Sequence, residues 1–130
     1  MRNAVNSTDA PAAIGSYSQA IKAGATIYLS GQIPLDPKSQ AIVDGDIAAQ
    51  VTQVFENVKA VANAAGGSMD EIVKITVYLV DLPNINVINE IMTKYFKAPF
   101  PARTTIEVSA LPKGSAVEVE AIMVLHSPAP

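Results

Sequence analysis

The chain has no cysteine, no tryptophan and only one histidine, His126. The absence of thiols excludes disulfides, thiolate metal sites and cysteine nucleophiles. His126 stands beside Ser127-Pro128-Ala129-Pro130, read as a flexible tail over 126–130, so it is a poor general base and cannot assemble a metal site. No Ser-His-Asp triad or phosphate-cradling glycine loop is present. Charge is sparse as well: 16% of residues are charged, against roughly 25% in an average soluble domain. With 49% hydrophobic residues and no apolar run near the ~20 needed to span a bilayer, the apolar excess is expected at a subunit interface. A net charge of -3 and three phenylalanines offer neither a basic footprint nor a stacking platform for nucleic acid. Residues 1–9 lack the apolar core of a secretory signal, which makes a cytoplasmic protein the expectation.

What is present reads as a single domain over 1–130 with an α+β pattern. Ser16 to Lys22 is a short strand candidate that contains Tyr17, and Ala23-Gly24 turns it into Thr26–Ile33, stopped by Pro34. Gly31 has two readings, a bulge or a place where something approaches the backbone closely. Ile42-Val43 can form a brief strand. Ile47, Val51, Val54, Val58, Val61 and Ala65 recur at steps of four and three, which predicts a helix over about 47–65. Asp44 or Asp46 can cap it, and Gly66-Gly67 can end it. Ser68-Met69-Asp70-Glu71 is a capping-box pattern for one turn before a central strand over 72–80, read as pairing in parallel through the preceding helix. A second helix over about 85–96 carries Ile85, Ile88, Met92 and Tyr95 or Phe96 on one stripe, with Asn89 at its edge.

Pro99 and Pro101 stiffen the approach to Arg103-Thr104-Thr105-Ile106-Glu107-Val108, a strand in which Arg103, Thr105 and Glu107 share a face. Leu111–Ser115 then reads as a turn into Val117–Leu125, where Glu118 and Glu120 share a face with Ile122 and Val124. Taken as a hairpin, the two strands bring the Arg103 guanidinium near a carboxylate at the rim of a core. An arginine on a stiff element can fork onto a small carboxylate with little rotamer entropy left to lose.

Pro101-Ala102-Arg103, Glu107-Val108, Leu111-Pro112-Lys113 and Glu118-Val119-Glu120-Ala121, with Ala10–Gln19 and Leu29–Pro34 upstream, resemble in order the motifs of the RidA family (YjgF/YER057c/UK114), the enamine/imine deaminases. The resemblance implies a chorismate-mutase-like fold, ββ(β)αβαββ, with a mixed β-sheet and two helices packed on one face. It also implies a homotrimer with sites between subunits. The implied reaction is cofactor-free hydrolysis of 2-imino acids, such as 2-iminobutanoate and 2-iminopropanoate released by pyridoxal-phosphate enzymes, to 2-keto acids and ammonia.

On that reading Arg103 grips the substrate carboxylate, and Glu118 activates the attacking water or shuttles its proton, its pKa raised by partial burial. Backbone groups around Gly31 and Arg103–Thr105 fix the imine nitrogen. Tyr17, from a neighbouring subunit, and Asn89, matched to a family helix segment, complete the wall; Ser30 is a lesser candidate. Thr105 stands where many relatives carry cysteine, so covalent thiol chemistry is lost while the water mechanism survives. Glu107 and Glu120 receive no role beyond solvated or structural positions. Two alternatives stay open: a non-catalytic module that binds small carboxylates such as 2-keto acids, and an endoribonuclease or translation inhibitor, disfavoured by charge and aromatic content.

Overall fold

The computed structural model describes residues 2–126. In chain order the elements are β1 (Arg2–Val5), β2 (Ala20–Ala23), β3 (Thr26–Gln32), α1 (Ile47–Ala64), β4 (Ile72–Leu79), α2 (Ile85–Tyr95), β5 (Ala102–Glu107) and β6 (Val117–Val124). The strands form one mixed sheet ordered β1-β2-β3-β6-β4-β5, in which only the β4–β5 pair is parallel. Both helices pack on one face, the α+β architecture expected.

The core is where two periodicities meet. Alternate residues of the strands, Ile27 and Leu29, Ile75, Val77 and Leu79, and Val117, Val119, Ala121 and Met123, are buried. They face Val51, Val54, Phe55, Val58 and Val61 of α1 and Ile88, Ile91 and Met92 of α2. Phe55 lies 5.5 Å from the Tyr95 ring and 5.9 Å from that of Phe96, locking the helices together. A fully buried side chain of that size contributes about 2–3 kcal/mol. Asp46 caps α1 by accepting the Ala49 N–H at 3.0 Å. Gly66, at φ +94°, supplies the left-handed residue beyond the helix end. Ser68 and Glu71 form the expected capping box around a single 3-10 turn.

Several expectations are corrected. The strand foreseen over 16–22 begins only at Ala20, because the chain bends at Gly15, φ +121°, and Ser16 and leaves Tyr17 in irregular backbone. The N-terminal strand β1 exists by pairing with β2, Val5 opposite Ala20, and not through any pattern of its own. Ile42 makes one isolated bridge to Leu35. β4 is paired on both sides but sits next to the sheet edge and not at its centre, and its parallel neighbour is the edge strand β5, reached through the following helix α2, since β6 separates it from β3.

The largest correction concerns the presumed hairpin: β5 and β6 are not neighbours, and β4 lies between them. β6 buries every second side chain and therefore takes an interior slot, whereas β5 is exposed along most of its length and suits the edge. The expected tail lies, from residue 127 on, outside the described residues; the His126 N–H donates to Glu71 at 2.9 Å. Among the described residues no helix is long and apolar enough to cross a membrane.

Candidate functional site

Register decides which side of the sheet each candidate occupies. Arg103 is paired with Ile75 and Thr105 with Val77, so both belong to the helix-covered face. Glu118 is paired with Tyr78 and Glu120 with Thr76, on the opposite, uncovered face. Arg103 and Glu118 are thus about two strand spacings, ~10 Å, apart across the sheet and about three residues apart along it, on opposite faces. The juxtaposition expected within one chain does not occur. The seven candidates form two groups.

The first group lines a cavity of ≈ 610 Å³ that contains Tyr17, Ser30, Gly31 and Glu118, with Lys113 and apolar Ile14, Ile33, Leu35 and Pro112 around them. Both readings of Gly31 hold. The β3–β6 register shifts between Leu29 and Gln32, a bulge, and a Cβ built on Gly31 would overlap the Glu118 carboxylate, with Cδ only 2.8 Å away. The carboxylate rests on bare backbone where any side chain would displace it. Glu118 is half-buried; this desolvation, and secondarily the charge of Glu120, pushes its pKa above the usual glutamate range.

Tyr17 is 54% exposed at the cavity wall. Its loop is strapped to β3, the Ser30 hydroxyl donating to the Ser18 carbonyl at 2.6 Å and the Ser30 N–H to the Gln19 carbonyl at 2.9 Å. The Ser30 hydroxyl proton is therefore committed to the backbone. Buried Gln19 was not singled out from the sequence. It accepts the Ser7 N–H at 2.6 Å and donates to the carbonyls of Ser7 and Pro11 at 3.1 and 2.7 Å, fixing the loop that carries Ile14 and Tyr17. Lys113 was missed as a cavity residue. The sequence marks only a turn at Pro112-Lys113-Gly114, in which the structure makes Lys113 and Gly114 both left-handed at φ +57° and +67°.

The second group lines a concavity of ≈ 460 Å³ formed by Asn89, Met92, Thr93, Phe100, Pro101 and Arg103. Arg103 Nη1 donates to Asn89 Oδ1 at 2.6 Å and to Met92 Sδ at 3.4 Å. Both partners are neutral, so they aim the guanidinium without cancelling its charge. Asn89, an edge-of-stripe amide in the sequence, is the residue that orients Arg103. Thr105 Oγ1, one strand pleat further on, is buried with no hydrogen-bond partner. Glu107 accepts the Leu82 N–H at 2.9 Å, a structural role.

Comparison with known proteins is consistent over almost the whole chain. A family model described as endoribonuclease L-PSP matches residues 7–125. A RutC family protein of Pyrococcus horikoshii is 48% identical over 94% of this chain and 97% of its own length. A human protein named 2-iminobutanoate/2-iminopropanoate deaminase is 44% identical over 95% of this chain and 90% of its own. The crystal structure of RidA from an Antarctic Psychrobacter superposes with a TM-score of 0.91 at 46% identity, covering 95% of this chain and 99% of that one.

Proposed function

Since the chain belongs to the RidA family, which is also the family described as endoribonuclease L-PSP, we propose that it is an imine deaminase that hydrolyses small 2-imino acids, 2-iminobutanoate and 2-iminopropanoate among them, to 2-keto acids and ammonia. The observation that carries this reading is the Glu118 carboxylate, half-buried against Gly31 in the wall of an open cavity. A carboxylate with a raised pKa is a stronger base than an ordinary glutamate, suited to taking a proton from the attacking water and giving it back.

Arg103 serves as the carboxylate anchor, since its guanidinium has neutral partners and donors to spare. Because it lies on the other face of the sheet, the Arg103 that meets a given Glu118 belongs to a second copy of the chain. The uncovered face supports such an assembly: Tyr28, Ile106 and Val124 are 52, 42 and 41% exposed there. The arrangement adopted is the family's homotrimer, with Tyr17, Ser30, Gly31 and Glu118 from one copy and Asn89, Arg103 and Thr105 from its neighbour at each of three sites.

In the reaction the protonated imine is the electrophile. Glu118 accepts a proton as the water oxygen bonds to C2 and the C=N π pair moves to nitrogen. Glu118 then returns that proton to nitrogen and takes the hydroxyl proton as the carbonyl forms and the C–N bond breaks; ammonia leaves, carrying that last proton away from Glu118 as ammonium. The backbone around Gly31 and the Thr105 hydroxyl hold the nitrogen and the new oxygen. These steps use water and this chain's own residues.

A carboxylate-binding module without turnover is the second reading, favoured by the Arg103–Asn89 contact, which is complete without Glu118. The test couples a pyridoxal-phosphate threonine dehydratase to the protein and follows 2-ketobutanoate formation with the unmutated chain, Arg103→Ala and Glu118→Gln. Acceleration by the unmutated chain and by neither variant is expected. No acceleration by any of the three, with 2-ketobutanoate binding lost only in Arg103→Ala, would replace the deaminase with the binder.

A further inference from the structure

Glu120 and Tyr78 lie beside the Glu118 cavity without a role in the reaction as described. Alternation along β6 puts Glu118 and Glu120 on the same face, and the register places Tyr78 of β4 directly opposite Glu118. The Tyr78 hydroxyl, however, does not donate to its cross-strand partner; it donates to the Glu120 carboxylate. A phenol has one proton to give. By giving it to Glu120, Tyr78 makes that carboxylate the acceptor and leaves Glu118 without a donor from β4.

We propose that Tyr78 and Glu120 are positioning residues for the Glu118 reaction: they hold a negative charge at Glu120, so that the proton available to the carboxylate pair resides on Glu118. On one sheet face, ionising one member of a carboxylate pair is easier than ionising both, and a hydrogen-bond donor placed on one member favours that member as the anion. Tyr78 tips that choice. The phenol stays a donor throughout the working range, since the hydrogen bond to Glu120, with burial, pushes its pKa up to about 12.

The titratable and charged groups nearest Glu118 are Glu120 on its own strand, Tyr78 opposite it on β4, Tyr17 and Lys113 across the cavity, and, in the oligomer, Arg103 of the neighbouring copy; Lys74 and Tyr28 lie further along the same face, opposite Ile122. Of these, Glu120 is the one whose charge raises Glu118, after burial itself. The consequence is a division of labour: Arg103 holds substrate, Glu118 moves the proton, and Glu120 with Tyr78 sets the pH at which Glu118 can do so.

The proton assignment stands on the geometry, while its kinetic consequence rests on the deaminase reading, so the test has two arms. In the first, the side-chain carboxyl signals of the oligomer are followed by ¹³C NMR against pH, with the Glu118 signal assigned by its loss in Glu118→Gln. The Glu118 midpoint is expected to move to lower pH in Glu120→Gln, whose amide oxygen still accepts from Tyr78, and by a smaller step in Tyr78→Phe. Glu120→Asp keeps the charge and retains most of the raised midpoint. In the second arm, the acid limb of kcat/KM for imine hydrolysis moves to lower pH in Glu120→Gln, with kcat reduced and KM little changed. An unshifted Glu118 midpoint in folded Glu120→Gln overturns the proposal, as does equal loss of activity in Glu120→Gln and Glu120→Asp with unchanged pH profiles. An inactive unmutated protein that still shows the NMR shifts would sink the deaminase reading and leave the proton assignment standing.

Discussion

The Arg103 concavity and the Glu118 cavity are built from the same sheet by opposite means. Arg103 is exposed on an edge strand and is aimed by two neutral side chains from one helix, Asn89 and Met92. Glu118 is half-buried on an interior strand and is set against the glycine of a bulge, with a second carboxylate and a tyrosine beside it. One environment leaves a permanent charge free; the other alters a proton affinity. A charge meant to capture an anion is best kept uncompensated and pre-aimed, whereas a group meant to exchange protons needs partial desolvation and a neighbouring charge.

The sharpest way to break this comparison is to put its halves on different copies. Arg103→Ala and Glu118→Gln alone are each expected to lose about 100-fold or more in kcat/KM, in line with losing two charge-assisted hydrogen bonds or a general base. Oligomers reassembled from an equal mixture of the two variants should recover about one quarter of wild-type activity, because one interface in four then pairs an intact Arg103 half with an intact Glu118 half. No recovery in verified mixed oligomers would mean that the halves do not meet across a subunit boundary.

Gly31→Ala attacks only the Glu118 side. The added methyl drives the carboxylate off the backbone, and kcat should fall about 10- to 100-fold with KM nearly constant. Because the atom displaced belongs to a flexible side chain, circular dichroism and oligomeric state should be unchanged. Asn89→Ala attacks only the Arg103 side. It frees the guanidinium to wander, so KM should rise about 10-fold, the value of one hydrogen bond to a charged group, with kcat less affected. If Gly31→Ala moved KM and Asn89→Ala moved kcat, the assignment of binding and proton transfer to separate halves would be wrong.

The smallest effect concerns stability. Glu118 has a raised pKa in the folded state, so folding favours its protonated form, and this contribution is lost as pH climbs from the ordinary glutamate range through the raised value. Glu118→Gln removes the ionisation, and its thermal midpoint at neutral pH should equal or exceed that of the unmutated protein. A clearly lower midpoint would show that the ionised carboxylate is a stabilising contact.

Much of the fold is legible in the residues themselves. The α1 stripe, the Asp46 cap, the Gly66 stop and the Ser68–Glu71 capping box are local, each depending on residues within a turn of one another. The chemistry available is local too: without cysteine, and with its single histidine at residue 126, the chain must work with carboxylates, arginine, hydroxyls and backbone. The motif order that marks the family runs along the chain in the same way. Gln19, by contrast, gives no local sign that it ties down the Tyr17 loop, because its partners lie 8 to 12 residues away.

Strand order and face are where the linear reading fails. Residues 108–116 carry turn signals, and a turn between two strands reads as a hairpin; the segment instead steps past β4 so that β6 can enter the sheet beside it. Pairing partners are chosen by burial over the whole sheet, and β6, with four side chains that must leave water, outcompetes β5 for the interior. Composition and periodicity thus settle which groups exist and which elements carry them. The tertiary fold alone decides that Arg103 and Glu118 stand on opposite faces, because which strand pairs with which is a contest among distant segments.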